Sequence, residues 1–331
     1  MKVSFVLPCY NVAPYVGRCI ESIMSQDFPE NEFDVICVDD CSTDNTIEVI
    51  EQYQKKYSNV LCFKHLVNKT SGGARNTGMK YATGEYLWFV DPDDSVPANV
   101  LGFLYDRAKH LDTDLLFFNI TQINEDGTSD EIRQLPTIDC VMPGPDFVTK
   151  YLPAKHLAGI TSIYRCLYRR EFCCTHNLHY PEIKSSQDVV FIWKCILEAD
   201  KVSSISQICY NYHRRLNSMT GQKGVFKSYA TLSSSLLFPN EVQGILDYYG
   251  QKYPYFVKDL EFCIRTAIND NSRKVMRMRW GERRKFYKSL KDNVPVINRL
   301  HGYMNRKTKM IFNCNIPFFV WNSIMTAYSL K

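Results

Sequence analysis

The chain has 331 residues, 45% apolar and 23% charged, enough apolar surface for one large domain or two ordinary ones, which excludes a disordered chain. It has no run of eighteen apolar residues, and MKVSFVLPCYN turns polar too early for a signal peptide, so neither export nor a membrane span is expected and the location reads as cytoplasmic. The net charge of +5 hides an asymmetry: Lys252 to Lys309 carries sixteen Lys and Arg against five Asp and Glu, about +11, leaving about −6 for the remainder.

VSFVLP, residues 3–8, is a continuous apolar run that reads as a strand, after which Tyr15, Val16, Cys19, Ile20, Ile23 and Met24 recur with a helical period. FDVICVDD is a second strand, and Ser42 or Asp44 caps a helix carrying Ile47, Ile50, Tyr53 and Tyr57. VLCFKH, a helix near Gly73 to Tyr81, EYLWFV, a helix from Val100 to Leu111, and DLLFFNI continue the alternation. Near-continuous apolar strands alternating with helices predict an α/β fold with a mostly parallel sheet flanked by helices. Ligands of such sheets gather at the carboxyl ends of the strands, where CYN, DDCSTD and DPDD all fall.

Residues 121–160 break the rhythm with NEDG, which reads as a hairpin turn, and with Pro136, Pro143, Pro145 and Pro153, so an insertion or cover is expected. Order resumes through ITSIYRCLYRREF and a helix from Asp188 to Glu198. Beyond Ser218 the chain reads as helical, basic and aromatic-rich, which predicts an α/β domain over 1–218 and a basic helical region over 219–331. The thirteen cysteines are scattered, several inside apolar runs, without metal-ligand spacing; they read as core residues of a reduced protein.

PCYNVAP follows the first strand where a dinucleotide site needs GxGxxG, and no GxxxxGK[ST] loop occurs, so both nucleotide-binding motifs are excluded. DPDD is a hard-oxygen cluster that suits Mg2+ or Mn2+ on a diphosphate, and equally a turn with Asp94 or Ser95 capping the next helix. Asp39 and Asp40 repeat the arrangement; Asp40 could accept from a base imide, and Tyr10 is either a core aromatic or a stacking platform. Two glycines and Arg75 at a helix start suit a diphosphate.

In this order and spacing, VLPCYN, VDDCSTDNT, NKTSGGARNTG and GEYLWFVDPDD resemble family 2 of the inverting glycosyltransferases, of GT-A fold; SSQDVVF and YNYHRRLNSMT extend the resemblance more weakly. The resemblance implies a nucleotide-sugar donor, UDP-sugar by family frequency, bound by Pro8, Tyr10, Asn11, Asp39, Asp40, Asn68, Gly72, Arg75, Asp91 and Asp93, with His213, Arg214 and Arg215 approaching the diphosphate. It further implies a metal on Asp93 with Asp91 beside it, and Asp188 as catalytic base, with Gln187 where the family has glutamate. The alternative for Asp188 is a helix cap, and for the basic residues a solvated turn. The implied acceptor is a glycan or lipid-linked hydroxyl in cell-surface polysaccharide synthesis.

Two rivals stand beside this reading. A sugar-phosphate nucleotidyltransferase would need a Gly-rich basic loop where PCYNVAP stands, and an inactive nucleotide- or glycan-binding relative would not need intact Asp93 and Asp188. The basic region 252–331 either rests on an anionic membrane surface or is a packed helical subdomain with solvated cations. No nucleic-acid-binding module accompanies the charge, so no nucleic-acid partner is expected.

Overall fold

The structure, a computed structural model, describes residues 1–132, 135–152, 161–214 and 228–329. The chain divides into two compact units, Met1–Glu182 with Phe191–Gly221, and Ile183–Val190 with Gln222–Lys331. The boundary expected at 218/219 lies outside the described residues, as does Arg215.

The first unit is built on one sheet. Strands β1 (Val3–Cys9), β2 (Phe33–Asp39), β3 (Val60–Lys64) and β4 (Tyr86–Phe89) alternate with helices α1 (Ala13–Met24), α2 (Thr46–Lys56) and α3 (Thr70–Tyr81). After α4 (Leu101–His110) come β5 (Leu115–Ile123), β6 (Ser129–Ile132), α5 (Gly144–Tyr151), β7 (Cys166–Arg169), α6 (Arg170–Thr175), α7 (Gln187–Glu198), whose first residues, Gln187 to Val190, fall in the second unit, and β8 (Val202–His213). The order is β3-β2-β1-β4-β7-β5-β6, with β8 also on β5. β1 pairs in parallel with β2 and β4, and β2 with β3. Every residue of β1, β2 and β4 is buried, as expected of strands covered on both faces. Phe5 stacks on Trp88 with ring centroids 5.2 Å apart.

The sheet is mostly parallel, as expected, and its antiparallel pairs lie in the right half. β7 inserts antiparallel between β4 and β5, so the sheet is mixed. β8, read from sequence only as a motif-bearing segment, is a twelve-residue strand parallel to β5. Its serines and glutamine obscure the strand signal, since Ser203 and Ser204 are buried by bonding the carbonyls of Ile138 and Pro136. The NEDG turn forms as expected: Gly127 has φ +82 and donates to the Asn124 carbonyl, joining β5 to antiparallel β6.

Close packing of α3 on β1 fixes how the strand ends face the helix start. A Cβ added to Gly78 would lie 2.3 Å from Val6 Cγ1, closer than any real contact, so the helix needs glycine there.

The second unit is helical, as expected: α8 (Ser228–Leu232), a π-turn (Ser233–Leu237), α9 (Phe238–Tyr249), α10 (Val257–Ser272), α11 (Trp280–Lys291), α12 (Val294–Leu300), α13 (Arg306–Ile311) and α14 (Phe318–Ser329). Val275, Met276, Met278 and Phe286 are buried in it, while Trp280 stays 51% exposed. Buried Arg283 donates to the carbonyls of Val275 and Met276 and to Thr326 Oγ1. Among the described residues no helix is long and apolar enough to cross a membrane.

Gly78→Ala should cost about 1–3 kcal/mol of unfolding free energy, the range for overpacking a filled core. Urea unfolding of the double-mutant cycle should show a smaller penalty in a Val6→Ala background; equal penalties would mean that the helix shifts freely.

Candidate functional site

The parallel register sets the carboxyl ends of β1 and β2 level, Cys9 beside Asp39, while β4 ends at Phe89 beside Val6, three residues short; all three strands run the same way, so the loops that follow share one edge. Pro8 is the penultimate residue of β1, and Tyr10, just past its end, is 48% exposed. Asn11 has φ +51, a conformation that Asn tolerates better than most residues. Its N–H donates to Ser42 Oγ at 3.0 Å, and its Oδ1 accepts from the Thr43 N–H at 2.8 Å. Ser42 therefore ties the first loop to the second and does not cap α2. Asp44 does serve the helix starts: Oδ2 accepts from the Ala13 N–H, and Oδ1 from the N–H and hydroxyl of Thr46.

Asp39 and Asp40 are both buried. Asp40 Oδ1 accepts from the Lys69 N–H at 2.7 Å and lies 2.7 Å from His65 Nδ1, whose Nε2 is 2.8 Å from Thr77 Oγ1. Asn68 Nδ2 donates to the Asp40 carbonyl at 3.0 Å. Asp39 Oδ2 accepts from the Ser42 N–H. The remaining oxygens, Asp39 Oδ1 and Asp40 Oδ2, are buried without a partner among the described residues. A buried acceptor left unpaired costs roughly 1–3 kcal/mol, which a donor group on a ligand would recover.

Gly72 and Arg75 are buried in the first turns of α3. Arg75 Nη2 donates to Asp91 Oδ1 at 2.6 Å, and the guanidinium lies 5.4 Å from the ring centre of Tyr180. Tyr180 is held in turn by Asn76, which accepts from its N–H and donates to its carbonyl. Arg75 is thus engaged with Asp91, where sequence reasoning expected it on a diphosphate. Asp91 keeps a 31% exposed side chain, and Asp93 is half-buried, its carbonyl accepting from Arg18 at 2.6 Å.

Asp94 is not the helix cap that sequence reasoning allowed. α4 starts at Leu101, and Gln26 Oε1 accepts from the N–H groups of Val100 and Leu101. Asp94 is instead buried, accepting from the Tyr210 hydroxyl and the His213 N–H at 2.7 Å each. The Tyr210 oxygen also accepts from the Asp91 N–H at 3.1 Å. Ser95 pairs with Asn211 in an antiparallel bridge, and its Oγ lies 2.9 Å from His213 Nε2. Burial, then the charges of Asp91 and Asp93, push the Asp94 carboxyl up to about 8.

Burial, aided by the charge of Arg18, holds His213 down to about 4, so the ring is neutral at pH 7. The cation expected at His213 is therefore not supplied by that residue here; Arg214, next along, is exposed. Asp188 is the second residue of α7 and half-buried, and Gln187 before it is buried.

Among the described residues no three His, Cys, Asp or Glu side chains converge as a metal cage. A hard cation on a diphosphate needs only one or two carboxylates, with phosphate and water completing its shell. Asp93 and Asp91 are carboxylates of the kind that role needs, and their charges, after burial, help push the Asp94 carboxyl up. The donor set fits Mg2+ or Mn2+.

Sequence reasoning missed His65, Tyr180 and Tyr210. Each reaches its partner across the fold, and no local spacing marks them. Tyr210 opens the YNYHRRLNSMT segment that extends the resemblance, but nothing in that segment tells its role.

Against known proteins, the sequence profile described as "Glycosyl transferase family 2" matches residues 4–174. The poly(ribitol-phosphate) β-glucosyltransferase of Bacillus spizizenii is 31% identical over 64% of this chain and 32% of its own length. The poly(ribitol-phosphate) β-N-acetylglucosaminyltransferase TarS of Staphylococcus aureus is 29% identical over 64% and 35%. The chain thus spans about a third of the length of these curated relatives. A cholesterol galactosyltransferase of Borreliella burgdorferi is 27% identical over 77% of this chain and 74% of its own. The crystal structure of S. aureus TarS 1–349 with UDP superposes with a TM-score of 0.61, at 22% identity, over 99% of this chain and 90% of that one; its complex with UDP-GlcNAc gives the same score at 21% identity, over 100% and 92%. The fold is the GT-A fold, a mixed sheet flanked by helices with a helical C-terminal region. The chain belongs to glycosyl transferase family 2.

Proposed function

We propose that the chain is a metal-assisted inverting glycosyltransferase that moves a sugar from a nucleotide-diphosphate sugar, UDP-sugar in the first instance, to a hydroxyl of a glycan or lipid-linked acceptor. The observation that carries this reading is the convergence, at one sheet edge, of exposed Tyr10, the unpaired Asp40 oxygen and the Asp91–Asp93 pair. Family membership and the named activities of the relatives support it, as do the UDP and UDP-GlcNAc complexes of a protein sharing the fold.

In this reading Tyr10 stacks on the base, and the open oxygen of Asp40 accepts from the base imide while His65 and the Lys69 N–H hold its other oxygen in place. Pro8 and Asn11 shape the first loop, Asn68 holds the Asp40 backbone, and Gly72 lets the start of α3 come close to the donor. Arg75 fixes Asp91 toward the ribose or metal, and Asp93 is the main metal ligand. The cation, when bound, offsets negative charge growing on the departing diphosphate. Arg214, with Arg215 outside the described residues, adds positive charge on the same side.

Asp188 takes the proton of the acceptor hydroxyl as that oxygen attacks the anomeric carbon from the face opposite the nucleotide. Backside attack inverts the centre without a covalent glycosyl-enzyme. The protein acts at the cytoplasmic face of a membrane, with the second unit on anionic lipid. Exposed Trp280, Phe319 and Val320 would enter the headgroup boundary among the cations of α11.

Asp188→Asn should lower sugar transfer about 10²- to 10⁴-fold while calorimetric UDP affinity stays within twofold; unchanged transfer would remove Asp188 from the chemistry. Asp93→Ala should abolish the Mn2+ dependence of UDP binding. Tyr10→Ala should weaken UDP by about 1–3 kcal/mol, the range for one base stacked on an aromatic ring, and an unchanged Kd would dismiss the stacking role. In flotation with phosphatidylglycerol vesicles, Trp280→Ala with Phe319→Ala should reduce the bound fraction; equal partitioning of variant and wild type sinks the membrane contact.

A further inference from the structure

Helix α1 begins just after the loop that carries Tyr10 and Asn11, and it bears polar side chains that the donor reading does not use. Arg18 and Ser22 on α1, and Gln26 just past its end, stand four residues apart. That spacing puts side chains on one face of a helix.

All three bond the main chain of the segment that runs from DPDD to α4. Arg18 Nη2 donates to the Asp93 carbonyl at 2.6 Å, and Ser22 Oγ accepts from the Val96 N–H at 3.0 Å. Buried Gln26 donates to the Pro97 carbonyl at 2.8 Å and accepts from the N–H groups of Val100 and Leu101. Beside Arg18, the buried Cys19 thiol donates to the Asp91 carbonyl at 3.7 Å. These bonds act on the main chain, so each places a residue through its backbone.

Strand β8 meets the same segment at Asp91, Asp94 and Ser95. Asp93, between them, has its carbonyl on Arg18 instead. A hard cation held by one or two carboxylates, with phosphate and water at its other positions, has few bonds to protein. The placement of each carboxylate therefore decides how well the cation is held.

We propose that Arg18 is a positioning residue for Asp93, the carboxylate assigned to the metal, and that Ser22 and Gln26 extend its hold along the segment that follows. The role rests on the metal-assisted glycosyltransferase reading. It ties the two ends of the donor site to one helix, since α1 starts at the loop that carries Tyr10 and reaches the main chain of DPDD.

The test is calorimetric UDP affinity of the full chain, measured with saturating Mn2+ and again in EDTA, the ratio of the two being the gain that the cation provides. In Arg18→Met, which removes the donor and keeps the chain length, that gain should fall about tenfold, the low end for partners that hold metal ligands, while the metal-free affinity stays within about twofold. Arg18→Lys, which keeps a cationic donor, should recover most of the gain. Ser22→Ala frees the Val96 N–H without touching Asp93 and should show a smaller loss of the same kind, which keeps the test open if Arg18→Met folds poorly. A gain unchanged in Arg18→Met and Ser22→Ala overturns the positioning role, and so does a larger gain in Arg18→Met, which would mean that the guanidinium only opposes the cation by its charge. Equal losses with and without Mn2+ in both variants overturn it too, since α1 would then serve the fold as a whole. A wild type whose UDP affinity does not respond to Mn2+ strikes the metal-assisted reading itself, and Arg18 loses its role with it.

Discussion

The geometry of the site depends on one buried carboxyl. Asp94 lies in the loop after β4, but the groups that satisfy it, the Tyr210 hydroxyl and the His213 N–H, come from β8, more than a hundred residues later. A buried carboxyl without such donors would cost several kcal/mol, so the loop after β4 is held where β8 can reach it. The Tyr210 oxygen also takes the Asp91 N–H, and Ser95 pairs with Asn211 on the same strand. Asp91 and Asp93 hang from a backbone fastened at both sides.

This constraint explains the mixed sheet. A purely parallel sheet grown by strand and helix alternation would leave the end of β4 without a strand to clamp it. The insertion of β7 between β4 and β5, with β8 along the far side of β5, extends the sheet so that the last strand returns to the DPDD loop. On the other flank, β1 and β2 end in loops stitched together by Asn11, Ser42 and Thr43. The site edge is tied on both sides, and between them one oxygen each of Asp39 and Asp40 is buried without a hydrogen-bond partner among the described residues.

The left half of this was legible in the sequence because it is local. Near-continuous apolar runs marked β1, β2 and β4, and the polar residues that follow each run marked the edge where ligands gather. The carboxylates were visible as motifs, but their division of labour was not. Asp94 read as a cap because an acidic residue before a helix usually is one, whereas its real donors lie in a strand whose serines hid the apolar alternation. A similar distance hid Tyr180 beneath Arg75, and a separation of 25 residues hid His65 beneath Asp40. Arg75 read as a diphosphate ligand because guanidinium at a helix start suits one; burial against Asp91 redirects it. His213 read as a cation by its neighbours in sequence, while burial at its actual position keeps it neutral.

The Asp94–Tyr210 contact holds the backbone that carries Asp91 and Asp93, the carboxylates proposed to bind metal. Tyr210→Phe removes one oxygen and leaves the ring stacked on Tyr164. Calorimetric titration of UDP in the presence of Mn2+, at a temperature where wild type and variant are both folded, should show affinity about tenfold weaker, near 1.4 kcal/mol. An unchanged affinity would mean that DPDD holds its place without the clamp, and that Tyr210 has no part in positioning Asp91 and Asp93.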